Sequence, residues 1–188
     1  MNFSLINISS HTNLDQIFLK RFLKVSENDP TKALNLLISN LKLRKTARHV
    51  FSDRDVMSDK IQNLCKISWV KLPEFSSNFT KLSFSQYIPL PKLTKENFKI
   101  TLIRYPTSDT ALFNANDATK MCMMSHDARC ALPDDDENHD VLADGEVLVM
   151  DMNNYTFRHF FEAVKNMATA NIFSKYSEDV APVTLRQS

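Results

Sequence analysis

One glycine, Gly145, stands among 188 residues, where average usage of about 7% would supply roughly 13. That scarcity removes whole classes of site. A Walker A loop and a dinucleotide fingerprint need several glycines so that backbone can approach phosphate, and a nucleophile elbow of the GxSxG type needs two. Nucleotide-cradling and serine-hydrolase chemistry are therefore not expected. The rest of the composition is that of a folded chain, with 43% hydrophobic and 24% charged residues, so neither a disordered nor a fibrous protein is expected. The length suits one domain, or a small helical module leading into a second.

Net charge is +1, but the charges are segregated. Residues 1–100 hold 16 Lys+Arg against 8 Asp+Glu, and residues 101–188 hold 7 against 14. A basic first half suggests an anionic surface as partner. Nucleic acid is not expected, because the basic residues are dispersed among apolar ones and form no nucleic-acid signature. Cys65, Cys122 and Cys130 are odd in number and widely spaced, which suits free thiols in a reducing compartment. The opening MNFSLINISSHTNL has no basic region leading into an apolar core, and no apolar run approaches the length of a membrane span. The expected location is cytoplasmic, with peripheral membrane association.

Along the chain, LDQIFLKRFLKV (14–25) has helical spacing at Ile17, Phe18, Phe22 and Val25, leaving Lys20, Arg21 and Lys24 for water. Asp29 can cap a second helix with Pro30 at its first position, and Leu34, Leu37, Ile38 and Leu41 form its apolar stripe. Ile61, Leu64 and Cys65 suggest a further turn or two of helix, and 71–84 reads as irregular. Pro89 and Pro91 hold an extended leader into a strand over 98–104, stopped at Tyr105-Pro106. Residues 116–131 favour helix, capped by Asn116 or Asp117. The acidic PDDDENHD (133–140) reads as a solvated connector, and GEVLVMDM (145–152) as a buried strand. Thr156 opens a helical stretch, and Pro182-Val183-Thr184-Leu185-Arg186 begins another strand. Alternating strands and helices predict an α/β fold in which crossovers make neighbouring strands parallel.

The order LDQIFLKRFLKV, LKLRK, FSDRDV, YIPLPKLTKENFKITLIRYP, DGEVLVMDMNNYTFRHF and YSEDVAPVTLR resembles the CRAL-TRIO (Sec14-like) lipid-transfer proteins. The variant is similar to insect relatives of alpha-tocopherol transfer protein and retinaldehyde-binding protein. The resemblance runs from about Leu14 onward and lies in the order and spacing of the pieces. It implies an N-terminal helical module over 1–75, then the first half of a lipid-binding domain over 76–188. The domain would be a partial mixed sheet with flanking helices, lacking the later strands and the gate helix of the family. The implied function is binding and intracellular transfer of a small hydrophobic ligand, of tocopherol, retinoid or phosphoinositide type, without enzymatic chemistry or a cofactor.

On that resemblance the ligand is lined by Leu148 and Met150, one face of the VLVMDM strand, and by the aromatic Phe157. Their other reading is ordinary core packing. Arg186 matches one of two basic positions that hold a phosphatidylinositol bisphosphate headgroup in relatives, and Thr184 stands at the second. Where the family has Asp followed shortly by glycine, this chain reads Asp151-Met152-Asn153-Asn154, and asparagine tolerates the left-handed turn. The expected partners are thus a lipid and, transiently, an anionic membrane surface. An alternative is a structural or interaction fragment whose open pocket binds nothing.

Other constellations read as structural. Cys122, His126 and Cys130 are spaced by four on a helix but offer no fourth ligand except His139, so no metal site is expected. His159 reads as a satisfied structural histidine rather than a general base. Lys42, Arg44, Lys45 and Arg48 read as a solvated helix end, with membrane contact the alternative.

Overall fold

The computed structural model describes residues 12–68, 86–105, 108–111, 113–135, 138, 141–176, 181 and 185–187. Four helices come first: α1 (Thr12–Val25), α2 (Pro30–Thr46), α3 (Arg48–Phe51) and α4 (Asp59–Ser68). Strands β1 (Gln86–Pro89) and β2 (Phe98–Arg104) lead to the central helix α5 (Ala115–Ala131). Then follow β3 (Gly145–Asp151), α6 (Phe157–Lys165), α7 (Met167–Lys175) and β4 (Leu185–Gln187). The expected irregular stretch 71–84, and with it His139 and Thr184, lies outside the described residues.

The sheet runs in the order β1-β2-β3-β4, antiparallel between β1 and β2 and parallel elsewhere. The fold is therefore α/β with a mixed sheet. The segments 98–104 and 145–151 pair residue for residue, from Phe98 opposite Gly145 to Arg104 opposite Asp151. The proline-bearing leader is itself an edge strand: Gln86 to Pro89 pair with Arg104 to Thr101. Pro89 ends that strand, which is where a residue without a backbone donor is tolerated.

Local chemistry explains the helix starts. Asp29 accepts hydrogen bonds from the Thr31 and Lys32 amides, with Pro30 at the first helical position. The cap of α5 is Asn114, two residues earlier than Asn116, and it accepts from the Asn116 and Asp117 amides. With so little glycine, left-handed backbone falls to Glu27, Asn28, Asp53 and Asn97. Asn and Asp tolerate that region because their short polar side chains bond locally. The turn after β3 needs no left-handed residue. Asp151 accepts the Asn153 amide at 3.1 Å and closes an Asx turn instead.

The helices of the first part share their core with α5. Leu43 and Val50 pack with Met123, Tyr176 and Ala181, and Ile61 and Leu64 pack with Met121 and Met124. Three surface expectations are corrected by this arrangement. On α2, of the expected stripe Leu34, Ile38 and Leu41 are exposed and Leu37 is half-buried, while Ala33, Asn40 and Leu43 are buried, because the side of α2 that carries Arg44 is drawn toward Asp127 on α5. Arg21, expected in water, is 1% exposed and donates to Asp134 and to the Cys130 and Leu132 carbonyls. Asp134, in the acidic connector, has a fully buried side chain held by Arg21 and Lys99.

Candidate functional site

Alternation along the strands divides the sheet into two faces. Lys99 and Thr101 on β2, with Glu146, Leu148 and Met150 on β3, take the face toward α5. Arg129 on α5 donates to Thr101 and to Glu146 Oε1, and Lys99 donates to the Arg129 carbonyl. The seam between α5 and the sheet is therefore polar and ionic. His126 sits at its centre, with Nδ1 3.3 Å from Glu146 Oε2 and Nε2 3.3 Å from Cys130 Sγ.

That line has the order of nucleophile, base and orienting carboxylate. All three residues, however, are almost fully buried, so the sulfur is closed to an external substrate and the line acts as an internal brace. Burial disfavours the charged imidazole, but Cys130 and Glu146 outweigh it and hold His126 up at about 10. Burial likewise opposes the Glu146 carboxylate, and His126, Arg129 and Thr101 nonetheless bring it down to about 2. Cys122 and Cys130 are both free thiols, and burial pushes the Cys122 thiol up to about 12. Among the described residues no His, Cys, Asp and Glu group is placed to hold a metal ion.

The opposite face of the sheet is apolar. Phe98, Ile100 and Leu102 on β2, Val147 and Val149 on β3 and Ile88 on β1 share it, and they are half-buried except for Val149, which is exposed.

The three residues expected to line a ligand are placed differently from one another. Leu148 is 4% exposed and lies in the ionic seam; Met150, on the same face but beyond it, is 40% exposed; Phe157, the first residue of α6, is 77% exposed. Arg186 lies on β4 with its Cα opposite Val147; its side chain is outside the described set.

Phe157 belongs to a larger surface. Phe160, Phe161 and Val164 are exposed beside it, at the i, i+3, i+4, i+7 spacing that aligns side chains on one helix face. The three phenyl rings touch edge to face or tilted, with centroids 6.0 to 6.3 Å apart. This surface was readable in the spacing of FRHFFEAVK, but there a helical apolar stripe reads equally as core.

What anchors α6 is His159, its one buried residue. The imidazole is packed among Tyr105, Phe113 and Tyr155, with centroids 5.3 to 5.4 Å away. Nδ1 accepts the Thr156 amide at 3.1 Å, while Nε2 is buried without a hydrogen-bond partner among the described residues. The expectation of a satisfied histidine thus holds for one ring nitrogen and fails for the other.

No helix among the described residues is long and apolar enough to cross a membrane. Comparison with models of known protein families, and with curated protein sequences, finds no match to the chain.

Proposed function

We propose that the chain binds a small hydrophobic ligand of lipid type and carries it between membranes, touching the bilayer transiently. The observation that carries this reading is the α6 stripe, where Phe157, Phe160, Phe161 and Val164 stand in water together. A contiguous apolar patch of this kind usually marks a binding or membrane surface. Its affinity for lipid would come from removing that surface from water, at about 25 cal/mol per Å² of apolar area. The half-buried apolar face of the sheet offers a second wall of the same chemistry. Exposed Lys42, Lys45 and Arg48 supply attraction to anionic headgroups. Arg186 is the candidate contact for a phosphatidylinositol bisphosphate headgroup.

Titration with a fluorescent retinoid or tocopherol, alongside sedimentation with phosphatidylcholine vesicles, tests the reading. Saturable ligand uptake, and vesicle association lost in a Phe157→Ser/Phe161→Ser variant of unchanged fold, are the expected results. Unaltered vesicle association in that variant would remove α6 from the membrane contact.

The second reading is an interaction module that holds no ligand. What favours it is the ionic seam between α5 and the sheet, in which Leu148 is buried. Absence of saturable uptake, with the α6 stripe still needed to bind a protein surface, would select it.

A further inference from the structure

We propose that His159 makes the attachment of α6 sensitive to acid: a proton on its imidazole removes the acceptor that caps the helix and frees the aromatic stripe. The inference deepens the lipid-binding reading, since it concerns control of the same α6 surface.

The geometry fixes the starting state. Thr156 precedes α6, and its backbone N–H lies 3.1 Å from His159 Nδ1, with its hydroxyl 2.9 Å from the same atom. A backbone amide can only donate, so Nδ1 carries a lone pair and the ring's proton sits on Nε2. This is the neutral imidazole in the role that Glu or Gln fills in a capping box. A second proton can go only to Nδ1. There it faces the Thr156 amide donor to donor, and the helix loses that cap.

Among the described residues no carboxylate faces the ring to offset the added charge; the Thr156 hydroxyl can turn to accept from Nδ1–H, but it carries no charge and does not restore the acceptor that the Thr156 amide loses. Tyr105, at the end of β2, and Tyr155, in the turn before α6, are the titratable groups against it, and Phe113 completes the enclosure. Both phenols are neutral across the physiological range, since burial pushes Tyr105 up to about 12 and raises Tyr155. The N-terminus of a helix disfavours a cation as well. Burial accordingly lowers the His159 pKa from its ordinary 6.5. The folded state then binds this proton less readily than the unfolded chain. The stability it lends is complete above about pH 6.5 and is lost as pH falls through the lowered folded value.

Release follows from how little else among the described residues holds the helix. His159 is 0% exposed, whereas Phe157, Arg158, Phe160, Phe161, Val164 and Lys165 are all exposed and Glu162 and Ala163 are half-buried. One imidazole therefore provides the buried attachment of α6, and the partnerless Nε2 leaves that attachment imperfect even when neutral. In acid the helix should detach with its four apolar side chains and expose the cage of Tyr105 and Tyr155.

Amide hydrogen exchange on the full chain, corrected for intrinsic rates and followed at about pH 7.5 and about pH 5.5, bracketing the ordinary histidine value, tests this. Protection of amides 157–165 should fall severalfold on acidification, with about tenfold as the ceiling for one proton taken up over the unit of pH below the ordinary histidine value, while α1 and α2 stay protected. His159→Gln keeps an acceptor for the Thr156 amide and should keep α6 protected at both pH values. His159→Phe keeps the ring and loses the acceptor, and should exchange rapidly at both. In the unaltered chain, ¹⁵N titration of the His159 ring should coincide with the loss of protection. Equal protection at both pH values, acid sensitivity retained by His159→Gln, or a ring titration that misses the transition would each overturn the proposal. Phosphatidylcholine vesicles separate the two ideas: acid release of α6 without vesicle binding keeps the switch and removes the membrane role.

Discussion

Asp127 shows how much one side chain can hold. Its carboxylate accepts from Arg44 at 2.6 and 2.8 Å and from Arg54 at 2.6 Å, and both guanidiniums also lie over the Phe51 ring. Burial disfavours the charge, yet the two arginines more than reverse this and lower its pKa. Replacing it leaves two partly buried cations without their anion, so Asp127→Asn is expected to cost about 3–5 kcal/mol, the range for breaking one side of a buried pair. Urea unfolding measures it, and a loss under about 1 kcal/mol, the worth of an exposed pair, would show that the three side chains are solvated. The His126–Glu146 pair gives a pH signature. A histidine raised to about 10 lends stability that is complete below pH about 6.5 and lost as pH rises toward that value. Stability of the unaltered chain should therefore fall between neutral and pH about 10, the folded value, and His126→Gln should flatten that fall. An alkaline limb of equal slope in the variant would assign it to another group.

At the level of the elements, adjacent residues of β3 lie in different environments. Leu148 is in the seam with α5 and Val149 is on the apolar face, exposed. Leu148→Ala is expected to destabilise by about 2–5 kcal/mol, the range for truncating a buried leucine, and Val149→Thr by about 0.5 kcal/mol or less, as for a surface change. Comparable losses would mean that the apolar face is covered. Helix and strand positions were legible where local chemistry decides them, as with the Asp29-Pro30 start of α2 and the β-branched run of β2. What escaped is what distant partners decide. The buried side of α2 is chosen by Asp127, 83 residues from Arg44, and not by its own leucines. Asp134 looks like part of a solvated acidic loop until Arg21, 113 residues away, is folded onto it. β1 is hidden because two prolines mask a strand that needs only one neighbour. For α6 the stripe was plain in its spacing, but whether it faces core or water is settled by how little of the described chain packs on it.

Across the molecule, part of the charge segregation that suggested an external anionic partner is used inside. Basic residues of the first half meet acidic residues of the second at Arg21–Asp134, Lys24–Asp144, Arg44–Asp127, Arg54–Asp127 and Lys99–Asp134. These pairs tie α1, α2 and β2 to α5 and to the loop that follows it. Most are buried, so added salt, which screens exposed charges beyond about 10 Å at 0.1 M, should shift the thermal midpoint little. Acid should act differently. Asp127, Asp134 and Glu146 all have lowered pKa values: burial opposes each charge, and the neighbouring cations outweigh it. Each lends stability that is complete above the ordinary carboxylate range near pH 4 and disappears as pH falls through its lowered value. Because Asp127 and Asp134 join the two halves and Glu146 ties α5 to β3 through His126 and Arg129, α1 and β3 should lose hydrogen-exchange protection in one transition at that low pH. Release of α6 should already have occurred, nearer the histidine range. Exchange measured along an acid series decides the matter: α1 opening while β2 and β3 stay protected would mean that Arg21–Asp134 does not couple them. A midpoint that moves strongly with salt would mean that the pairs are solvated, and Arg21, Arg44, Arg54 and Lys99 would then add to the exposed Lys42, Lys45 and Arg48 as charge available to an anionic surface.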